Sequence, residues 1–207
     1  MGRVLLQTRR LTLRPVTLDD VPRLVELDSD PAVMRYVSGG TATSADTVAD
    51  WVIPRMQAQQ RDHGTGMWLI WDRTGCDDVG ARAPERFHGW AQLRTPRHSR
   101  RAELELSYRL RRDSWGHGYA AEASATLITM MFVETDTTRI FAGTHVANKA
   151  SQRVMQRLGM RLAADSDAVE LSSPDALVEY ELLRETWYAG RGRAFSRASA
   201  AGAARVG

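Results

Sequence analysis

The sequence holds a single cysteine, Cys76, so no internal disulfide can form and the chain suits a reducing compartment. One lysine, Lys149, stands among 28 basic residues; the other 27 are arginine, which points to a GC-rich genome more than to a function. No apolar run approaches the ~18 residues that a membrane helix needs. The best candidate, Ala123–Val133, is too short. Met1–Arg10 is followed by no apolar stretch, so no signal peptide is expected. His63, His88, His98, His117 and His145 show no ligand spacing, and with one cysteine no metal centre is expected. Cys76 has no evident activating base, which disfavours a covalent relay through its thiol. These absences point to a cytoplasmic protein without a membrane partner.

What is present suits one globular domain. The 207 residues are 43% hydrophobic and 26% charged, enough for a sizeable core. Residues 190–207, rich in Gly, Ala, Ser and Arg, carry Arg191, Arg193, Arg197 and Arg205 and no acid. They read as a basic, disordered tail behind a domain over residues 1–189. Without them the chain holds 24 basic against 25 acidic residues, so the body is close to neutral. A nucleic-acid binder concentrates basic charge on its folded part. The nearest cluster, Arg94, Arg97, Arg100 and Arg101, flanks a turn at Thr95–Pro96 and reads as a solvated turn. No nucleic-acid partner is expected.

Periodicity sets the order of elements. RLTLRPV alternates and opens a strand at Leu11–Leu13; Thr17-Leu-Asp-Asp20 then starts a helix in capping-box fashion. Val21, Leu24, Val25 and Leu27 follow at helical spacing, and Asp30-Pro31 ends that helix. Ala45–Gln60 reads as one helix despite Pro54. Met67–Trp71, Phe87–Leu93 and Glu103–Leu110 read as strands. Asp72–Arg86, which includes Cys76, reads as an exposed, mobile loop. Ala120–Val133 is predicted as a buried helix and Arg139–Thr144 as a short strand. Asn148–Leu158 is a helix ended by Gly159, and Leu162 and Val178–Leu183 add strand material. Trp51, Trp68, Trp71 and Trp90 read as core or pocket wall.

Chemistry concentrates in ELELSYRLRRDSWGHGYAAEA, Glu103–Ala123. A strand runs into Gly116-His117-Gly118 and a helix begins at once. Successive N–H groups and a helix N-terminus present partial positive charge to an anion, and glycine lets the backbone approach it. Alone, G-x-G fits any tight strand–helix turn. It lacks the third glycine of a dinucleotide fingerprint and the Lys-Ser/Thr of a P-loop.

Its context is more specific. Trp115-Gly-His-Gly-Tyr-Ala-x-Glu122, Asn148-x-x-Ser151 with Leu158-Gly159-Met160, RLTLRPVTLDD and DPAVMRYV occur in one order. Together they resemble the GNAT superfamily of acyl-CoA-dependent N-acyltransferases, in particular the branch of ribosomal-protein N-terminal acetyltransferases. The resemblance covers roughly residues 8–188. It implies an α+β fold: a central twisted, mixed, mostly antiparallel sheet of about seven strands. Helices would flank both faces, and the sheet would splay between its fourth and fifth strands.

The resemblance also assigns roles. The backbone amides of Gly116, His117, Gly118, Tyr119, Ala120 and Ala121 would hold the pyrophosphate of acetyl-CoA. The main chain of Tyr108, Arg109 and Leu110 would pair with the pantetheine arm like an added strand, and Asn148 would hydrogen-bond the same arm. Trp115 stands where the family usually has Gln or Arg, which leaves backbone contacts unaffected. Glu105 would be the general base for the acceptor amine, and Glu103, on the same strand face, an ammonium anchor. The alternative for both is a solvated strand face. Many relatives carry a tyrosine seven residues after the asparagine, but that position is Met155 here. Ser151 is the remaining hydroxyl acid, with solvent or simple helix-end bonding as alternatives. The reaction implied is direct acetyl transfer in a ternary complex to a primary amine, foremost a protein α-amine or lysine. A small-molecule amine, or an inactive CoA-binding module, is the alternative, and either a monomer or a homodimer is compatible.

Overall fold

The computed structural model describes residues 5–73, 86–96, 102–164 and 176–190. Cys76, most of the 72–86 loop, Arg97, Arg100, Arg101 and the segment after residue 190 lie outside the described residues.

The alternating RLTLRPV stretch forms β2 (Leu11–Pro15), preceded by a two-residue strand β1 (Leu6–Gln7). β3 (Gly66–Asp72), β4 (Phe87–Arg94) and β5 (Glu103–Leu110) follow antiparallel to one another, then β6 (Arg139–His145), β7 (Arg161–Leu162) and β8 (Leu177–Leu183). The sheet order is β1-β2-β3-β4-β5-β6-β8-β7, with β5–β6 the parallel pair. Two short edge strands, β1 and β7, raise the expected seven to eight. The predicted splay between the fourth and fifth strands therefore falls between β5 and β6.

Helices cover both faces. β3 is almost wholly apolar because both its faces are buried. Trp68 and Ile70 pack with Leu106, Leu127, Phe132 and Met155 on the side of α5 (Tyr119–Glu134) and α6 (Lys149–Arg157). Met67, Leu69 and Trp71 pack with Leu24, Ile53 and Met56 on the side of α1 (Val21–Asp28) and α4 (Ile53–His63). In α5 the buried set Ala120, Ala123, Ser124, Leu127, Ile128, Met131 and Phe132 keeps helical spacing, so one wide face docks on the sheet. Each fully buried Leu or Phe there contributes about 1.5–3 kcal/mol. Short helices α2 (Pro31–Met34) and α3 (Ala45–Thr47) pack against α1.

Two local results refine the sequence reading. The predicted helix Ala45–Gln60 is three pieces: α3, a π-helical turn over Val48–Val52, and α4 with Pro54 in its first turn. Proline lacks an N–H and crowds the carbonyl four residues back, and the widened turn accommodates both effects. Residues 184–190 are helical, an element the periodicity did not reveal. The capping box at Thr17 forms as expected, with Thr17 N–H donating to Asp20 Oδ2 at 2.9 Å. Asp20 is fully buried and takes both Nη groups of Arg14, at 2.6 and 2.8 Å. Burial alone would raise the Asp20 carboxyl, but hydrogen bonds from Arg14 and Thr17 hold it below the usual range.

Candidate functional site

Strand β5 organises the site. Its pairing with β4 runs from Arg94↔Glu105 to Gly89↔Leu110, while its pairing with β6 covers only Glu103–Glu105. Arg111 N–H donates to His88 O, and Ala102 O accepts from Thr138 N–H. Odd-numbered residues of β5 therefore bond toward β4 and even-numbered ones toward β6. Past Glu105, the peptide groups of Leu106 and Tyr108 face the splay with no strand partner among the described residues. That edge can add an extended ligand.

At the end of β5 the chain turns through residues 111–118 into α5. Gly116 and Gly118 have φ of +78° and +80°, the left-handed region that favours glycine. A Cβ on Gly116 would meet nothing within 4 Å, so its absence leaves open space above the loop. At Gly118, Arg10 Nη2 and Arg157 Nη1 each lie 3.7 Å from the Cβ position, bringing two guanidinium groups to the rim. Sixteen residues of helix stand behind the loop with their N–H groups aimed out of it. His117 Nδ1–H donates to Trp115 O at 2.8 Å, and Trp115 Nε1–H donates to Leu110 O at 2.9 Å. His117 lies in the loop before the N-cap Gly118, and Tyr119, Ala120 and Ala121 open the first turn of α5.

Glu122 fastens that first turn. Its carboxylate accepts from Thr8 Oγ1–H at 2.5 Å, Arg10 N–H at 3.0 Å and Arg10 Nε–H at 2.8 Å. Burial pushes the Glu122 carboxyl up, but these bonds outweigh it and its pKa is lowered. The Arg10 guanidinium also covers the Tyr119 ring, 4.8 Å from its centroid. Both motifs are visible in the sequence but nothing there joins them, since β1–β2 and α5 are more than a hundred residues apart.

Across the splay, Asn148 Oδ1 accepts from Ser151 N–H at 3.1 Å and so caps α6. Its amide nitrogen has no partner among the described residues. Tyr108, for which only a main-chain role was expected, sends its side chain to the α6 side, with Leu104 and Leu106. Its hydroxyl lies 2.9 Å from Ser151 Oγ and donates to Ser151 O at 3.0 Å. Burial pushes this phenol up to about 12, so it stays protonated at neutral pH. A phenol therefore reaches Ser151 from β5, although α6 carries Met155 at the position first considered. Alternation along β5 was the signal that could have revealed it.

The opposite face of β5 carries Glu103, Glu105 and Arg109. Glu105, its side chain 25% exposed, pairs through Oε2 with Arg94 Nη2 at 2.5 Å; Oε1 has no partner among the described residues. Glu103 is 12% exposed and pairs with Arg139 at 2.9 Å; Arg139 also holds Glu179 and Glu181, each at 2.6 Å. Arg109 pairs with the buried Asp28 at the end of α1 and lies 5.1 Å over the Trp90 ring. Tyr36, after α2, stacks on His145 at the end of β6, with centroids 5.4 Å apart, and so crosses the mouth of the splay on this face. No sequence signal pointed to that pair.

Among the described residues no helix is long and apolar enough to cross a membrane, and no group of three His, Cys, Asp or Glu side chains could hold a metal ion. Residues 10–161 match the family described as Acetyltransferase (GNAT) domain. The chain is 27% identical over 195 residues to the FsC-acetyl coenzyme A-N(2)-transacetylase of Aspergillus fumigatus, spanning 88% of this chain and 77% of that protein. It is 30% identical over 157 residues to the uncharacterized protein YkkB of Bacillus subtilis, spanning 75% and 84%. Among solved structures, a GNAT-family acetyltransferase from Bacillus anthracis superposes with a TM-score of 0.65 at 20% identity, covering 88% of this chain and 99% of that one. RimL, a ribosomal L7/L12 alpha-N-protein acetyltransferase in complex with coenzyme A, superposes with a TM-score of 0.69 at 17% identity over 88% and 99%.

Proposed function

Because the chain belongs to the GNAT acetyltransferase family, we propose that it moves the acetyl group of acetyl-CoA directly to a primary amine in a ternary complex. One observation carries this reading. Past Glu105 the edge of β5, without a strand partner among the described residues, leads straight into an open left-handed glycine loop on the N-terminus of a 16-residue helix. That continuous path suits a ligand with an extended amide-bearing arm and a pyrophosphate. Of the expected Tyr108–Leu110 stretch, Tyr108 presents its main-chain groups to the arm together with Leu106, whereas Arg109 bonds toward β4 and Leu110 O accepts from Trp115 Nε1–H. The Asn148 amide nitrogen can donate to the arm. The N–H groups of residues 116–121 face the anion.

For the chemistry, Glu105 is the base. Its Oε1, the oxygen not paired with Arg94, takes a proton, through water, from the incoming ammonium, and the neutral amine attacks the thioester carbonyl. As the C–S bond breaks, Ser151 Oγ–H protonates the leaving sulfur and Oγ recovers a proton from the nitrogen, which sheds one as the amide forms, with solvent as the competing relay. Tyr108 stands behind Ser151 as a protonated hydroxyl and can hydrogen-bond Oγ while the serine proton is given up. Glu103 can anchor an ammonium only by exchanging it for Arg139.

The acceptor we favour is a protein α-amine or lysine, on the strength of the motif resemblance to the ribosomal-protein acetyltransferases. A small-molecule amine is the second reading, favoured by the similarity to the A. fumigatus transacetylase. An acceptor panel with acetyl-CoA, read by release of free thiol, tests both. Turnover on peptides with a free α-amine or lysine supports the first, and turnover confined to small amines supports the second. Absence of thiol release with every amine, despite tight CoA binding, would leave an inactive CoA-binding module.

A further inference from the structure

A buried side chain that no motif contains lies beneath the glycine loop. His88, in the first half of β4, is 2% exposed, and its ring lies under the turn that leads into α5. Nε2 is 2.7 Å from Asp72 Oδ1 at the end of β3, and Nδ1 is 2.9 Å from Ser114 Oγ. A carboxylate only accepts, so Nε2 carries a proton toward Asp72; the single Ser114 hydroxyl proton is shared between Nδ1 and Asp113 Oδ1, 3.1 Å from Oγ. Ser114 is also 2% exposed and lies two residues before Gly116. The same imidazole packs on the Tyr119 ring, with centroids 4.5 Å apart, and Tyr119 is the first residue of α5. One ring therefore touches both ends of the glycine loop, the segment before Gly116 and the residue after Gly118.

We propose that His88 is a positioning residue for donor binding, clamping Ser114 and Tyr119 so that the N–H groups between them stay aimed at the pyrophosphate. This rests on the reading that residues 116–121 hold that group. The loop needs such support. Its two left-handed glycines have the greatest conformational freedom of any residue, and a Cβ position on Gly116 meets nothing within 4 Å. A loop that must be ordered by its ligand binds more weakly than one already ordered. Asp72 fixes the ring from the opposite side and so sets which nitrogen faces Ser114. Glu105 and Arg94 lie toward the other end of the β4–β5 pair, beyond the reach of this clamp.

The test compares His88→Leu, His88→Asn, His88→Gln and Ser114→Ala with Gly118→Val, by calorimetric titration of CoA and by steady-state kinetics. His88→Leu is expected to raise both the CoA dissociation constant and the KM for acetyl-CoA about tenfold, with kcat at saturating donor within about twofold. His88→Asn, which keeps a polar atom where Nδ1 sits, should restore most of the affinity. His88→Gln, which reaches only toward Asp72, should not. Should His88→Leu fail to fold, Ser114→Ala removes a single oxygen and is expected to show the same split, about threefold. A histidine that merely fills the core would lower the melting temperature of these variants with CoA affinity unmoved, and that result overturns the proposal. If Gly118→Val keeps normal CoA affinity, the loop reading itself is wrong. If Gly118→Val loses affinity while His88→Leu and Ser114→Ala keep it, only the role of His88 is wrong.

Discussion

The two ends of β5 are built on opposite plans. At the Leu110 end the side chains of Ser114, Trp115, Tyr119 and Glu122 are held by partners on β1–β2, β4 and β5, and backbone N–H groups are left facing out. At the Glu103 end, side chains face the groove, and arginine already partners each carboxylate there. A backbone site can be fully formed before its ligand arrives. A side-chain site made of ion pairs must exchange one partner for another when substrate binds. The first arrangement suits a constant donor, and the second suits an acceptor whose charge competes with Arg94 and Arg139.

That contrast can be broken most forcefully at Glu105. Glu105→Gln keeps the shape and removes the proton acceptor, so turnover should fall about 10²–10⁴-fold while CoA affinity barely moves. The loss should shrink as pH rises, because more of the amine then arrives deprotonated. Glu103→Gln is the control, and an anchoring role would appear as a raised acceptor KM with little change in kcat.

Next in size is the fold beneath the site. Arg14→Ala strands the buried Asp20 carboxylate, with an expected loss near the lower end of about 3–5 kcal/mol at pH 7. Because the folded-state pKa of Asp20 is lowered, its contribution is complete above the unfolded carboxylate value of 3.8 and disappears as pH falls through the folded value. Denaturant titrations at pH 7 and pH 3 should therefore show a gap between wild type and Arg14→Ala that narrows in acid. Equal gaps at both pH values would place the stabilisation elsewhere. The smallest effect is expected for Asn148→Ala: about 1 kcal/mol of stability from the lost cap, and up to about tenfold in CoA affinity from the lost amide donor. Unchanged CoA affinity with the stability loss intact would confine Asn148 to capping.

The same contrast explains what could be read without a structure. The glycine loop, the strand before it and the helix behind it were legible because backbone conformation is written locally, in Gly116, Gly118 and the period of α5. The splay was legible only through resemblance, since nothing in β5 or β6 announces where their pairing stops. The partners of Glu105 and Glu103 were not legible at all. Arg94 was read as part of a solvated turn, yet cross-strand register sets it against Glu105. Tyr108 was assigned by its main chain, and its phenol emerged only when α6 was seen to face β5 across the splay. His88 shares no ligand spacing with the other histidines, and such spacing carries no information about a hydrogen-bonded ring inside a core. Pro54 shows the reverse case. Its cost was visible in the sequence, but the π-helical turn that absorbs it was not.

The most direct test of donor binding at the loop is a calorimetric titration of CoA into the wild-type protein and into Gly118→Val. Valine cannot adopt a φ of +80° without strain, and its side chain would stand in the space between the loop and the Arg10 and Arg157 guanidinium groups. The expected result is binding to the wild type and at least about tenfold weaker binding to a variant that is still folded, equivalent to roughly 1.4 kcal/mol or more. Equal affinity in the two folded proteins would contradict the assignment of residues 116–121 to the pyrophosphate.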